Sequence, residues 1–84
     1  MTSPAKLYAK LLANPGATIS FRDFERLIVA FGYRHVRTKG SHKHYEHPQV
    51  AEILTVQPRG KDAKPYQLRA FFAILADYGL RLDP

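Results

Sequence analysis

The sequence predicts a small α+β domain in the order α-α-β-β-β-α, a three-stranded antiparallel sheet with helices packed on one face. Three observations carry this. Apolar residues recur at helical spacing before residue 32 and after residue 65. The segments between them alternate and are rich in β-formers, and Gly or Pro stands at each change of period.

Lys6 to Ala13 places Leu7, Tyr8, Leu11 and Leu12 on one helical stripe, ended by the breaker Asn14-Pro15-Gly16. Ser20 precedes Asp23 by three positions, as in a capping box, and Phe24, Leu27, Ile28 and Phe31 then recur at helical spacing until Gly32. From Tyr33 to Lys39 the period changes to two, with Val36 and Thr38 on one face and His35, Arg37 and Lys39 on the other. Gly40-Ser41 turns the chain, and His42 to His47 is the return strand of a hairpin. Pro48-Gln49 interrupts it, and Glu52 to Gln57 forms the third strand. Pro58 to Lys64 is expected as a loop carrying Arg59, Gly60 and Lys61. Pro65 suits the first turn of a helix whose stripe is Leu68, Phe71, Phe72 and Leu75, ended by Gly79. Phe21, Phe24, Phe31, Phe71 and Phe72 are then core, and the other sheet face is expected to carry His35, Arg37, Lys39, His42 and His44.

A chain of 84 residues with 45% hydrophobic content supports one modest core. It has no cysteine, so disulfides, thiolate metal sites and cysteine nucleophiles are excluded together. No apolar run approaches the roughly 20 residues of a membrane span, and the N-terminal stretch has no signal-peptide core, so a soluble cytoplasmic protein is expected. The net charge of +6 favours an anionic partner. Eight of the 13 Lys and Arg residues fall between Tyr33 and Arg69, against three of the seven acidic ones. The charge sits where the histidines sit.

Three of the four histidines lie within Gly40-Ser41-His42-Lys43-His44-Tyr45-Glu46-His47-Pro48. Tyr45 is the residue of this strand expected to face the core. Alternation then sends Lys43 and His47 to its side, and His42, His44 and Glu46 to the open side. Two imidazoles about 7 Å apart on a strand can flank one phosphodiester as general base and general acid. RNA brings its own nucleophile, the ribose 2′-hydroxyl, so this chemistry requires no metal if a cation stabilises the phosphorane. Arg37, Lys39 and Lys43 are the candidate cations. A metal site on His42 and His44 lacks a carboxylate cluster beyond Glu46, and no cofactor is expected. His47, before Pro48, is expected to shape a turn, and His35 to be a solvated strand residue.

These residues also carry a resemblance. Ala30-Phe31-Gly32-Tyr33, Gly40-Ser41-His42, Tyr45, His47-Pro48, Leu54-Thr55-Val56-Gln57-Pro58, Gly60-Lys61 and Lys64-Pro65-Tyr66-Gln67-Leu68-Arg69 in this order resemble the HicA toxin family of bacterial toxin-antitoxin modules, over about residues 18 to 80. The resemblance implies a fold like a double-stranded-RNA-binding domain, a metal-independent mRNA-cleaving activity, and neutralisation by a HicB-type antitoxin. It maps the catalytic histidine onto His42. Where many members carry a second histidine next, this chain has Lys43, and His44 becomes the conditional helper. Arg37, Lys39, Gly40, Ser41, Lys43, Arg59 and Lys61 are the expected RNA-binding residues. The family fold has one helix before the sheet, so the helix at about 4–13 is expected as an addition to a single domain spanning 1–84. The alternative expectation is a non-catalytic RNA-binding module using the same face.

Overall fold

A computed structural model of the chain describes residues 3–14 and 16–82. Its helices are α1 (Pro4–Ala13), α2 (Phe21–Ala30) and α3 (Pro65–Tyr78). Its strands are β1 (Arg34–Lys39), β2 (His42–His47), β3 (Val50–Val56), β4 (Pro58–Arg59) and β5 (Asp62–Ala63). The expected α+β order is therefore observed, with β1, β2 and β3 forming an antiparallel sheet in that spatial order.

Local chemistry accounts for the helix ends. The Ser20 hydroxyl accepts from the Asp23 N–H at 3.1 Å, capping α2. Gly79 takes the left-handed φ of 62° that stops α3. Ser3 caps α1, and Pro4 occupies the first turn, where its missing N–H costs nothing. Of the breaker after α1, Pro15 lies outside the described residues.

Packing then fixes the layers. Phe24, Leu27, Ile28 and Phe71 are wholly buried, and the Phe71 ring meets Phe24 and Phe31 edge-on, each at 5.7 Å. Tyr45, Leu54 and Val56 close this core from the sheet. α1 adds Leu7 and Leu11, and Tyr8 packs its edge against Phe31 at 5.1 Å and Phe72 at 5.6 Å. Each leucine buried so completely contributes about 1.5–3 kcal/mol. Leu12 departs from the expected stripe: it is 55% exposed, because it lies on the outer flank of α1 beyond Tyr8.

Three expectations need correction. First, His35 does not share a face with Arg37. Pairing runs Arg34 with Glu46 and His35 with Tyr45, then Arg37 with His44, so Val36 is an extra residue, a β-bulge. The bulge turns His35 to the Tyr45 side, where its ring lies 5.3 Å from that of Tyr45. Second, β3 starts at Val50 rather than Glu52, with Val50 opposite His47. Third, the expected loop at 58–64 contains the β4–β5 ladder, turned by Gly60-Lys61. This hairpin is too short to show alternation, and a distant segment holds it. The Phe21 N–H donates to the Lys61 carbonyl at 2.8 Å, and the Ala63 N–H to the Ile19 carbonyl at 3.0 Å.

Candidate functional site

β2 presents two different faces, as a single core-facing tyrosine in a polar strand dictates. On the helix side, Glu25 of α2 gathers the inward-facing donors. Its Oε2 accepts from Lys43 Nζ at 2.8 Å and from the Tyr45 hydroxyl at 2.6 Å. Burial, and then the hydrogen bond to Glu25, push the Tyr45 hydroxyl well above its usual pKa. Lys43 Nζ also lies 5.7 Å from the centre of the Phe21 ring. Its charge is thus committed beneath the sheet, away from His42 and His44.

On the open side, residues directly opposite one another share a face. Lys39 stands opposite His42, and Arg37 opposite His44. Thr55 of β3 stands on the other side of His44, and its hydroxyl is 2.9 Å from His44 Nδ1. Each histidine therefore has a basic neighbour across the β1–β2 ladder. Further along, Arg34 is ion-paired with Glu46, whereas Lys39 and Arg37 stand directly opposite His42 and His44 on the ladder.

The bulge contributes to this arrangement. Without the extra residue at Val36, the register of the Arg34 end would set Val36 rather than Arg37 against His44. Gly40-Ser41 closes the hairpin between Lys39 and His42, with Gly40 at φ 61°, the left-handed value that a primed two-residue turn needs at its first central position. The turn and both imidazole flanks are exposed or only partly covered.

Arg59 and Lys61 sit on the β4–β5 hairpin, which leaves β3 immediately after Val56. Val56 pairs with Lys43, so the hairpin emerges at the His42 end of the sheet. Both side chains are exposed, while the Lys61 carbonyl is fixed by Phe21. The structure thus gathers Arg37, Lys39, His42 and His44 on one face, sets Gly40, Ser41, Arg59 and Lys61 at its end, and sends Lys43 to the opposite side.

The remaining histidines have structural contacts. His47 Nδ1 accepts from the Gln49 N–H at 3.0 Å, and its Nε2 donates to the Phe31 carbonyl at 3.0 Å, tying the β2–β3 turn to the end of α2. Its ring lies 5.1 Å from Tyr33. His35 Nε2 is 2.8 Å from the Thr38 hydroxyl.

Two further members of this constellation, Thr55 and Glu25, have no signal in the sequence that assigns them to it. Thr55 follows the alternation between buried Leu54 and Val56, but only the β2–β3 register sets it beside His44. Glu25 carries no local signal, since its partners lie 18 and 20 residues away. A separate cleft of about 560 Å³ opens on the helix side, between Pro4, Val29, Ala30 and Tyr45. Among the described residues, no three His, Asp or Glu side chains are grouped to hold a metal ion, and no helix is long and apolar enough to cross a membrane.

The paired imidazoles can exchange protons with one substrate group between them, and the cations opposite can stabilise negative charge that develops there. Among known proteins, the model of a family described as the HicA toxin of bacterial toxin-antitoxin modules matches residues 21–80. No curated protein and no solved structure matches.

Proposed function

Since the chain belongs to the HicA toxin family of bacterial toxin-antitoxin modules, we propose that it is a metal-independent endoribonuclease acting on mRNA, with His42 as the central catalytic group. The observation that carries this reading is the pair His42 and His44 on the open face, each with a cation directly opposite. α1 precedes the matched residues, so the proposed chemistry belongs to the part of the chain that the family covers.

In the proposed reaction, His42 takes the proton of a ribose 2′-hydroxyl. The 2′-oxygen forms a bond to the adjacent phosphorus, and the bond from phosphorus to the 5′-oxygen breaks. His44, as imidazolium, gives its proton to that leaving oxygen. The products are a 2′,3′-cyclic phosphate and a 5′-hydroxyl, so atoms and protons balance. Lys39 lies beside the base and Arg37 beside the acid, where they offset the extra charge of the phosphorane. Thr55 serves His44 in either state: it donates to Nδ1 of the neutral ring and accepts from the protonated one. Lys43, held by Glu25, has a positioning role in this scheme: its pairing keeps β2 facing the way the chemistry needs. Arg59 and Lys61 are proposed to extend the phosphate-binding track.

The proposed partner is a HicB-type antitoxin, acidic where it meets the open face, which neutralises the toxin by covering His42. A complex that leaves His42 open to RNA would contradict this.

The roles of the two histidines can be separated chemically. In EDTA, His42→Ala is expected to lower RNA cleavage by about 10²–10⁴-fold, and His44→Ala to lower it less or equally. Replacing the leaving 5′-oxygen by sulfur removes the need for an acid. It should restore cleavage by His44→Ala and leave His42→Ala inactive. Restoration of both variants, or of neither, would overturn the assignment. Wild-type protein that binds RNA without cutting it would favour the non-catalytic binding module.

A further inference from the structure

Tyr66 lies in the first turn of α3 and is 57% exposed, the most exposed of the large apolar side chains described. Its surroundings are cationic. It lines a cleft of about 320 Å³ with Arg59, Lys64 and Pro65, and Lys64 Nζ stands 5.9 Å from the centre of its ring.

The ring is exposed but braced. Gln67, the buried polar residue of the core layer at 8% exposure, donates from Nε2 to the Tyr66 hydroxyl at 3.3 Å. The Oε1 of the same amide accepts from the Gln57 N–H at 3.2 Å. Lys43 pairs with Val56, so the next residues outward on the two strands are His42 and Gln57. One buried amide therefore ties the exposed ring to the strand position beside His42.

An exposed aromatic ring beside one cation, in a cleft that a second cation also lines, anchored to the end of a strand of the basic sheet, has the makings of a nucleotide subsite. Resting on the ribonuclease reading above, we infer that Tyr66 is a stacking platform for an unpaired base of the RNA that crosses His42 and His44, with Arg59 and Lys64 contacting the phosphates that flank this base. Chemistry favours a base over an acidic protein segment. The cations of the cleft suit a carboxylate or a phosphate alike, but only a base also uses the ring, whose electron-rich face attracts a π-face or a cation and not a carboxylate. The platform also defines the substrate: a base inside a duplex has both faces covered by its neighbours, so the strand must be unpaired near the cut. Every base has a face to stack, so Tyr66 sets affinity and single-strandedness rather than sequence.

The test uses single-stranded RNAs with 2-aminopurine scanned along their length, bound to full-length protein in a His42→Ala background so that no cleavage intervenes. Fluorescence quenching is expected at one register. Tyr66→Ala should abolish it and weaken binding about tenfold or more, whereas Tyr66→Phe should retain both. Arg59→Ala and Lys64→Ala should lower the salt dependence of binding, and Tyr66→Ala should leave it unchanged. Thermal unfolding of each variant controls for folding, and Tyr66→Phe, which loses the same hydrogen bond from Gln67 as Tyr66→Ala, separates that loss from loss of the ring. If Tyr66→Ala binds and quenches like its parent while unmutated protein cleaves RNA, the platform is overturned and the ribonuclease reading stands. If unmutated protein neither binds nor cleaves RNA, that reading fails and takes the platform with it.

Discussion

Glu25 divides the chemistry of β2 by taking both inward-facing donors, Lys43 and Tyr45, and so leaves His42 and His44 to the open side. A hydrogen bond to a charged group contributes about 1.5–3 kcal/mol. Tyr45→Phe should therefore lower unfolding free energy by about that amount near neutral pH, measured by urea denaturation. Its pH dependence has a definite sign. The folded state holds the Tyr45 proton more tightly than the unfolded chain, whose tyrosines titrate near about 10. Stabilisation is thus complete below that value and is lost as pH rises from there towards the higher folded value. Tyr45→Phe should flatten the loss of stability above about pH 10. It should not abolish it, because burial also raises the Tyr33 hydroxyl. A slope unchanged by Tyr45→Phe would contradict the role given to Glu25.

At the scale of elements, the hairpin of β1 and β2 decides whether the site exists. Gly40 has open space around its missing Cβ, so Gly40→Ala should meet no clash. Its cost should come from the left-handed backbone alone, about 1–2 kcal/mol, and appear in denaturation together with reduced cleavage as Lys39 and His42 shift. Ser3→Ala, which removes the cap of α1 outside the residues that the family covers, should cost about 1 kcal/mol and leave cleavage unchanged. Much of this architecture could be read from the chain. Tyr45 alone, one large aromatic in a polar strand, fixes which way His42 and His44 face, and Ser20 and Gly79 mark helix ends. The bulge could not be read, because Val36 is apolar and β-branched and fits a regular strand equally well. The pairing of His44 with Thr55 needs the β2–β3 register, which Pro48-Gln49 does not specify. The β4–β5 hairpin draws its hydrogen bonds from Ile19 and Phe21, some 40 residues away.

Over the whole molecule, the histidine pair and its basic neighbours share one end of the sheet. α2 and α3 cover the sheet's inner face with α1 packed against them, and the outer face keeps Arg37 and Lys39 beside the histidines, continued by Arg59 and Lys61. Binding to RNA should weaken steeply with salt. Arg37→Ala and Lys39→Ala should each lower the slope of log K against log salt by about one, measured by titration with single-stranded RNA. His42→Ala should leave affinity nearly unchanged, since its proposed task is proton transfer rather than charge pairing. The proposed mechanism is tested most sharply by the chemistry of the cut itself, followed in EDTA on an RNA with one mapped cleavage site and on the same RNA lacking the 2′-hydroxyl there. The expected product from wild-type protein and the intact RNA is a 2′,3′-cyclic phosphate, with cleavage at that site lowered by about 10²–10⁴-fold in His42→Ala and absent in the deoxy substrate. Cleavage of the deoxy substrate, or full activity of His42→Ala, would contradict it.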